Sequence, residues 1–409
     1  MRAWVRRKVA AVHRRLTRWH HRMARMCGQR PDVYLVVTDL AGGGVGHATR
    51  SQATILHNTG HKVTILTTHE NVTADKVDNE YALGKVPREV PIRNLQQELG
   101  TRPPEFANDY RWAEGWVEAI LGSARKGSVI VANYPAIAQM IGRANLPGIR
   151  KLWVLHNNVF DAPDFTPTSA VRANYARGLE SARDLDGLLI LTQQEFDDMT
   201  THVRPMAPMY VVPNSTAVLP EPHTQRDPNL VVAFGRFEPQ KAFPEAIRTF
   251  KLVVAQRPEA RLEIYGRGKL RHDLKALIES EGLSNSVIMK SYTKNPHGVM
   301  ARAMCMMMTS DYEGQPLVIL ESHMMKTPLA TYAYRYGPET MIEDGVNGRV
   351  VPWRDRQALA NAVIDLLDRP ETVEAMGTVA RQRAIAEYSP EVIAKAWIRV
   401  FRKVKLRSS

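Results

Sequence analysis

From Asp32 to Val351 the sequence alternates short, β-branched apolar runs with longer stretches of helical period, a pattern that parallel sheets with helical crossovers satisfy. The runs fall into two series. Val33 to Val37, Lys62 to Thr67, Val129 to Asn133, Lys151 to Leu155, Gly187 to Leu191 and Met209 to Val212 form the first. Leu230 to Phe234, Arg261 to Tyr265, Val287 to Lys290, Cys305 to Thr309, Leu329 to Tyr332 and Arg349 to Val351 form the second. Between them a polar stretch carries Pro213, Pro220, Pro222 and Pro228, which reads as an interdomain linker. At 409 residues the chain is too long for one ordinary core, so the pattern predicts two doubly wound α/β domains facing a cleft at the carboxyl ends of their strands. The expected division is a basic amphipathic helix over residues 1–30, a first domain over 31–213, a linker over 214–228, a second domain over 229–390, and a helix with a basic tail over 391–409. The stretch Arg356 to Leu406 has no strand pattern and would cross back to the first domain.

Charge separates the ends from the body. The net charge is +13, yet residues 1–30 hold ten Arg and Lys with no acid, and residues 399–409 hold five more with none, which leaves residues 31–398 at −2. Within the first segment Val5, Val9, Val12, Leu16, Trp19, Met23 and Met26 recur at alternating spacings of four and three, lining one face of a helix. Such a helix suits an anionic membrane surface, where each cation contributes about 1 kcal/mol, or else a packing surface on the body or a partner. It lacks the uninterrupted apolar core of a secretory signal. Two cysteines, Cys27 and Cys305, rule out a disulfide framework or a four-thiolate metal site, and no run of about 18 apolar residues provides a spanning helix. No nucleic-acid module is recognisable in the body, so nucleic acid is not an expected partner.

Three motifs fall at strand ends. Gly42-Gly43-Gly44-Val45-Gly46-His47 follows the first strand, where glycines let a ligand approach the backbone and the next helix start favours an anion; four glycines in five residues favour that contact over a mere tight turn. The dinucleotide fingerprint fails, because its third glycine would stand at His47. Phe234-Gly235-Arg236-Phe237-Glu238-Pro239-Gln240-Lys241 follows the first strand of the second domain, and its two cations, Arg236 and Lys241, suit one diphosphate. In Ser310 to Glu321, Glu313 and Gly314 lie on a loop, and Pro316 fits the first position of a helix. Free N–H groups around Gly314, Gln315, Pro316 and Leu317 would then face the cleft, and Glu321, one turn in, could accept both hydroxyls of a ribose. The only Asp-x-Asp, Asp184-Leu185-Asp186, precedes a strand and reads as a helix end rather than a metal grip.

These residues carry a resemblance. Glu313 and Glu321 match the E-x7-E motif, and Arg236 and Lys241 the Arg-x4-Lys pair, of retaining GT-B glycosyltransferases in the large family (glycosyltransferase family 4, glycosyl transferases group 1) that includes sucrose synthase and bacterial α-mannosyltransferases. The glycine-rich loop, Gly60-His61-Lys62-Val63 and Val212-Pro213-Asn214 fall in the family's order, and the similarity covers roughly residues 32–395. The resemblance implies a GT-B fold of two Rossmann-like domains and a nucleotide-sugar donor, a UDP-sugar, held mainly by the second. Arg236 and Lys241 would neutralise its diphosphate, Glu321 would hold the ribose, and Glu313 with the Gly314 to Leu317 backbone would hold the sugar. Gly44 would approach the donor, and His156, in Trp153 to Asn158, matches the family's sugar-contacting histidine. In this family retention is thought to proceed by front-face departure and attack, so no metal and no cofactor besides the donor is expected.

The stretch Tyr332 to Gly348 looks like the Tyr-Gly-Pro segment of enzymes that glucosylate poly(glycerol phosphate) and related teichoic polymers. Many of those carry a large inserted β-rich domain for which this chain has no room. The resulting expectation is a retaining transferase that moves a hexose or N-acetylhexosamine from a UDP-sugar to a cell-envelope polymer or surface polysaccharide. It would sit on the cytoplasmic face of the membrane, peripherally bound through residues 1–30. A non-catalytic GT-B partner docked at the membrane is the alternative, and a homo-oligomer stays open.

Overall fold

The computed structural model describes residues 30–40, 43–68, 86–94, 97–98, 111–122, 124–160 and 171–406. The expected helix over residues 1–30 lies, apart from Arg30, outside the described residues, as do Gly42 and the last three residues.

Two wholly parallel sheets emerge. The first has β1 (Val33–Val37), β2 (Val63–Thr67), β3 (Ile92–Asn94), β4 (Val129–Ala132), β5 (Arg150–Leu155), β6 (Gly187–Ile190) and β7 (Met209–Val211), in the order β3-β2-β1-β4-β5-β6-β7. The second has β8 (Leu230–Phe234), β9 (Arg261–Tyr265), β10 (Val287–Lys290), β11 (Cys305–Met308), β12 (Leu329–Tyr332) and β13 (Arg349–Val351), in the order β10-β9-β8-β11-β12-β13. Every residue of β2, β4, β6, β11 and β12 is buried, because helices cover both faces of each sheet.

Strand β3 is absent from the sequence expectation. Its three residues, Ile-Arg-Asn, make no apolar run, and an edge strand needs none. It is recruited by β2 through the pairing of Thr67 with Asn94, whose Nδ2 donates to Thr67 Oγ1 at 2.9 Å.

The strandless stretch from Arg356 is three helices: Arg356–Asp368, Pro370–Tyr388 and Pro390–Lys403. Pro370 and Pro390 set the breaks, since proline is tolerated in a first turn and not inside a helix. The last helix belongs to the first domain's core: Ile393, Trp397, Val400, Phe401 and Val404 pack with Val33, Leu35, Val63 and Ile65.

The segment from Asn214 to Asp227 has no regular structure, but it is held. Ser215 Oγ and Thr216 N donate to Tyr388 O at 3.0 and 2.9 Å, so the two chain crossings between the domains lie bonded side by side. Arg226 donates to Ala303 O and Lys326 O, each at 2.7 Å.

Candidate active site

Each sheet reverses its strand order once, between β1 and β4 and between β8 and β11. Segments leaving the carboxyl ends at such switch points define a ligand crevice. From the first sheet come Gly43 to His47 after β1, Asn133 and Tyr134 after β4, and His156 after β5. From the second come Gly235 to Lys241 after β8 and Ser310 to Glu321 after β11.

Lys241 and Glu313 form the centre of this cleft. Lys241 Nζ donates to Glu313 Oε1 at 2.5 Å, and Gln240 Nε2 donates to Glu313 Oε2 at 3.2 Å and to Tyr312 O at 2.9 Å. The geometry is set locally. Pro239–Lys241 is a single 3-10 turn, Ala242 follows at φ +43, and Thr309 Oγ1 at the end of β11 donates to Ala242 O at 3.1 Å. The β8 and β11 loops are thus sewn together. Close by, a Cβ on Gly266 after β9 would stand 1.9 Å from Gly235 O, so only glycine fits beside the Arg236 loop. Arg236 itself is exposed and has no ion-pair partner among the described residues. It acts across the cleft on Tyr134, whose hydroxyl pKa burial pushes up while Thr38 and Arg236 pull it down.

Glu321 lies on the helix Leu317–Met324 and is only 8% exposed. Burial pushes its carboxyl up to about 7, against the pull of Lys241. Its nearest cross-domain neighbour in the ion-pair range is His47, with Nδ1 3.5 Å from Glu321 Oε1. Burial, then Arg50 and His297, push His47 down to about 3, so at neutral pH an uncharged imidazole faces a carboxyl that titrates there. Pro316 is not the first helical residue. It is the extended N-cap, with the helix starting at Leu317, because Tyr336 N donates to Glu313 O at 3.0 Å and holds the loop extended.

His156 meets the second domain by its backbone. A Cβ on Gly314 would lie 2.6 Å from His156 O and 3.0 Å from Asn157 Cα, so Gly314 serves a close approach between domains. The His156 ring pairs through Nε2 with Asn133 Oδ1 at 2.8 Å, and burial pushes its pKa down to about 3. A neutral ring donating from Nε2 keeps Nδ1 as its acceptor. Gln315 turns away from the cleft: its Oε1 accepts Asn214 N at 2.5 Å and its carbonyl accepts Asn214 Nδ2 at 3.0 Å. The space where a Cβ of Gly44 would point is open.

Within the stretch from Tyr332 to Gly348, Tyr332, Tyr334, Met341 and Ile342 belong to the second domain's core, and Arg335 and Tyr336 reach the first domain. Tyr336 is fully buried in the first domain's core, its hydroxyl donating to Asp198 Oδ2 at 2.8 Å. Arg335 pairs with the same Asp198, and Asn158 Nδ2 donates to Arg335 O at 3.1 Å. The turn at Asn347 is closed internally, with Asn347 Nδ2 donating to Met341 O at 3.0 Å. Asp186 of the Asp-x-Asp accepts Lys151 N at 2.7 Å, and no group of three His, Cys, Asp or Glu gathers as a metal site among the described residues.

Of the residues expected from the sequence, Lys241, Glu313, Arg236, Glu321 and His156 lie around the same crevice. Gln240, Asn133 and His47 join them there without having been singled out from the sequence. Gln240 had a signal, since it sits inside the Arg-x4-Lys spacing; the other two are joined to their partners only by the fold.

Two Rossmann-like sheets that offer their switch points to a shared cleft define the GT-B class of glycosyltransferase folds. A family model described as "Glycosyl transferases group 1" matches residues 217–383, and one described as "Glycosyl transferase 4-like domain" matches residues 43–215. The chain belongs to this glycosyltransferase family. It is 25% identical over 297 residues to the poly(ribitol-phosphate) alpha-N-acetylglucosaminyltransferase of Staphylococcus aureus (strain COL), a match over 73% of this chain and 59% of the relative. It is 26% identical over 243 residues to the poly(glycerol-phosphate) alpha-glucosyltransferase of Bacillus subtilis (strain 168), over 59% of this chain and 36% of the relative. The chain therefore spans less than two thirds of these curated relatives. The crystal structure of a TarM mutant from S. aureus, in complex with fondaparinux, alpha-GlcNAc-glycerol and UDP, shares the fold with a TM-score of 0.81. That match is 17% identical and covers 91% of this chain and 100% of the other.

Proposed function

We propose that the chain is a retaining glycosyltransferase that moves a hexose or N-acetylhexosamine from a UDP-sugar to a teichoic-acid-type poly(polyol phosphate) or a surface polysaccharide, at the inner face of the cell membrane. The observation that carries this reading is the Lys241–Glu313 pair at 2.5 Å, with the exposed Arg236 on the adjoining loop. Support comes from the two curated relatives, both named as alpha-transferases to polyol-phosphate polymers.

The chemistry follows from the charges. As the bond between sugar and diphosphate breaks, negative charge grows on the leaving phosphate. Arg236 and Lys241 would meet that charge, and preorganised donors of this kind typically contribute about 3 kcal/mol each to a transition state. Lys241 would pass from Glu313 to phosphate, freeing Glu313 to accept sugar hydroxyls. Glu321, ionised above about pH 7, would accept the ribose hydroxyls. His156, with Nε2 committed to Asn133, would offer its other ring nitrogen as an acceptor to the sugar.

The test is a panel of nucleotide sugars offered with poly(glycerol phosphate) and poly(ribitol phosphate), with products read by mass spectrometry and the new anomeric centre by NMR. An α-linked product from a UDP-sugar is expected. A β-linked product would remove the retaining mechanism, and nucleotide release from no donor would remove the enzyme.

A further inference from the structure

Three neighbouring strands of the first sheet end in a line of hydrogen bonds that starts on a main-chain carbonyl and finishes on a histidine ring. β1, β4 and β5 lie side by side, with Val36, Asn133 and His156 at or next to their carboxyl ends. Asn133 is 1% exposed. Its main-chain N–H and its side-chain Nδ2 both donate to Val36 O, at 3.0 and 3.3 Å. A carbonyl oxygen has lone pairs and no proton, so it fixes which end of the amide is the NH2 group. Oδ1 is therefore the atom that meets His156, 2.8 Å from Nε2.

An amide oxygen only accepts, so the one proton of a neutral imidazole has to sit on Nε2. The ring is neutral at physiological pH, because burial pushes its pKa down to about 3. The bond from Asn133 is the ring's one hydrogen bond among the described residues, which leaves the lone pair on Nδ1 uncommitted. The main chain of His156 is fixed as well, packed against Gly314 beside Glu313.

We propose that Asn133 is a positioning residue that sets the tautomer of His156, so that Nδ1 reads one hydroxyl of the donor sugar by accepting its proton in a hydrogen bond. The inference rests on the crevice being the donor-sugar site. A bare lone pair accepts from an O–H and repels a carboxylate, which brings no proton. The sugar selected is thus one with an uncharged hydroxyl at the position read, and a uronate carboxylate there is disfavoured. With an apolar residue in place of Asn133, nothing would hold the proton on Nε2, and a ring protonated on Nδ1 cannot accept.

The experiment uses the full chain with 15N-labelled histidine, the His156 signals being assigned by their loss in His156→Gln. In the wild type at neutral pH, Nε2 is expected to carry the proton and Nδ1 to be bare. A protonated Nδ1, or a mixture of tautomers, would overturn the relay, and this measurement needs no change at Asn133. In Asn133→Leu the tautomers should mix; in Asn133→Asp the facing carboxylate should leave both nitrogens protonated. The hydroxyl is then found with deoxy analogues of UDP-glucose and UDP-N-acetylglucosamine, each lacking one hydroxyl, in transfer to poly(glycerol phosphate) and poly(ribitol phosphate). One analogue should lower wild-type kcat/KM about tenfold or more, chiefly through KM. In Asn133→Leu the parent donor should lose about as much, and that analogue less than about twofold further, because the two changes remove one interaction. If Asn133→Leu does not fold, Asn133→Asp gives the same comparison, since its doubly protonated ring cannot accept either. An undiminished penalty for that analogue in the variants would mean that Asn133 supports only the fold, and would overturn its positioning role. The expected tautomer with no donor turned over would instead remove the donor-sugar reading of the crevice, and the hydroxyl contact with it.

Discussion

Glu321 is where the site's electrostatics are most open to measurement. Its folded pKa, about 7, lies above the ordinary 4.5, so folding favours the protonated form. The stability this gives is complete below 4.5 and is lost as pH rises through 7, a total of about 3 kcal/mol. Glu321→Gln removes the titration. The variant should match the wild type in thermal unfolding at pH 4 and exceed it at pH 8; a difference that does not change with pH would contradict the assignment. Donor binding should run the other way. An acceptor carboxylate is lost in the variant, so its donor KM at pH 8 should rise about tenfold, and the wild-type KM should rise as pH falls below 7. The residues of this site that the sequence made legible are those whose partners lie close along the chain or carry a known spacing, as Glu313 and Glu321 do. Asn133 and His156 are 23 residues apart, and His47 and Glu321 sit in different domains. Only the strand order brings such pairs together, and no periodicity announces it.

At the scale of elements, the loop after β11 and the loop after β12 act as one piece. Glu313 is held from one side by Lys241 and Gln240 and from the other by Tyr336 N, while Tyr336 is rooted in the first domain. Gly314→Ala would place a methyl 2.6 Å from His156 O, and backbone cannot yield as a flexible side chain can. The expected outcome is a variant of nearly wild-type stability whose turnover falls tenfold or more, with a larger radius of gyration by X-ray scattering as the domains part. Tyr336→Phe loses the bond to Asp198 and should cost about 1–3 kcal/mol; Tyr336→Ala adds a cavity in the first domain's core and should cost about 3–5 kcal/mol. Equal unfolding temperatures for the two would show that Tyr336 is not rooted there. The sequence gives the Tyr-Gly-Pro segment a family likeness, but its contacts with Asp198 and Asn158 exist only once both domains are folded.

The whole molecule is tied at its two chain crossings and by the return of the Pro390–Lys403 helix. Trp397 is 1% exposed against the first sheet, so Trp397→Ala should cost about 3–5 kcal/mol. The loss should appear in amide exchange of β1 and β2 and leave β8 to β12 protected; uniform loss would mean that the domains unfold as one unit. Periodicity supplied twelve of the strands because buried parallel strands are apolar runs, and it passed over β3 because an edge strand of Ile-Arg-Asn is not. The cleft these sheets create is where transfer would occur. That is tested most directly by the rate at which UDP-glucose and UDP-N-acetylglucosamine transfer their sugar to poly(glycerol phosphate) or poly(ribitol phosphate), in the wild type and in Lys241→Ala. Sugar should be added to polymer with UDP released, slowed roughly 10²–10³-fold by the substitution. Turnover unchanged in Lys241→Ala, or no sugar transferred by the wild type from either donor, would contradict it.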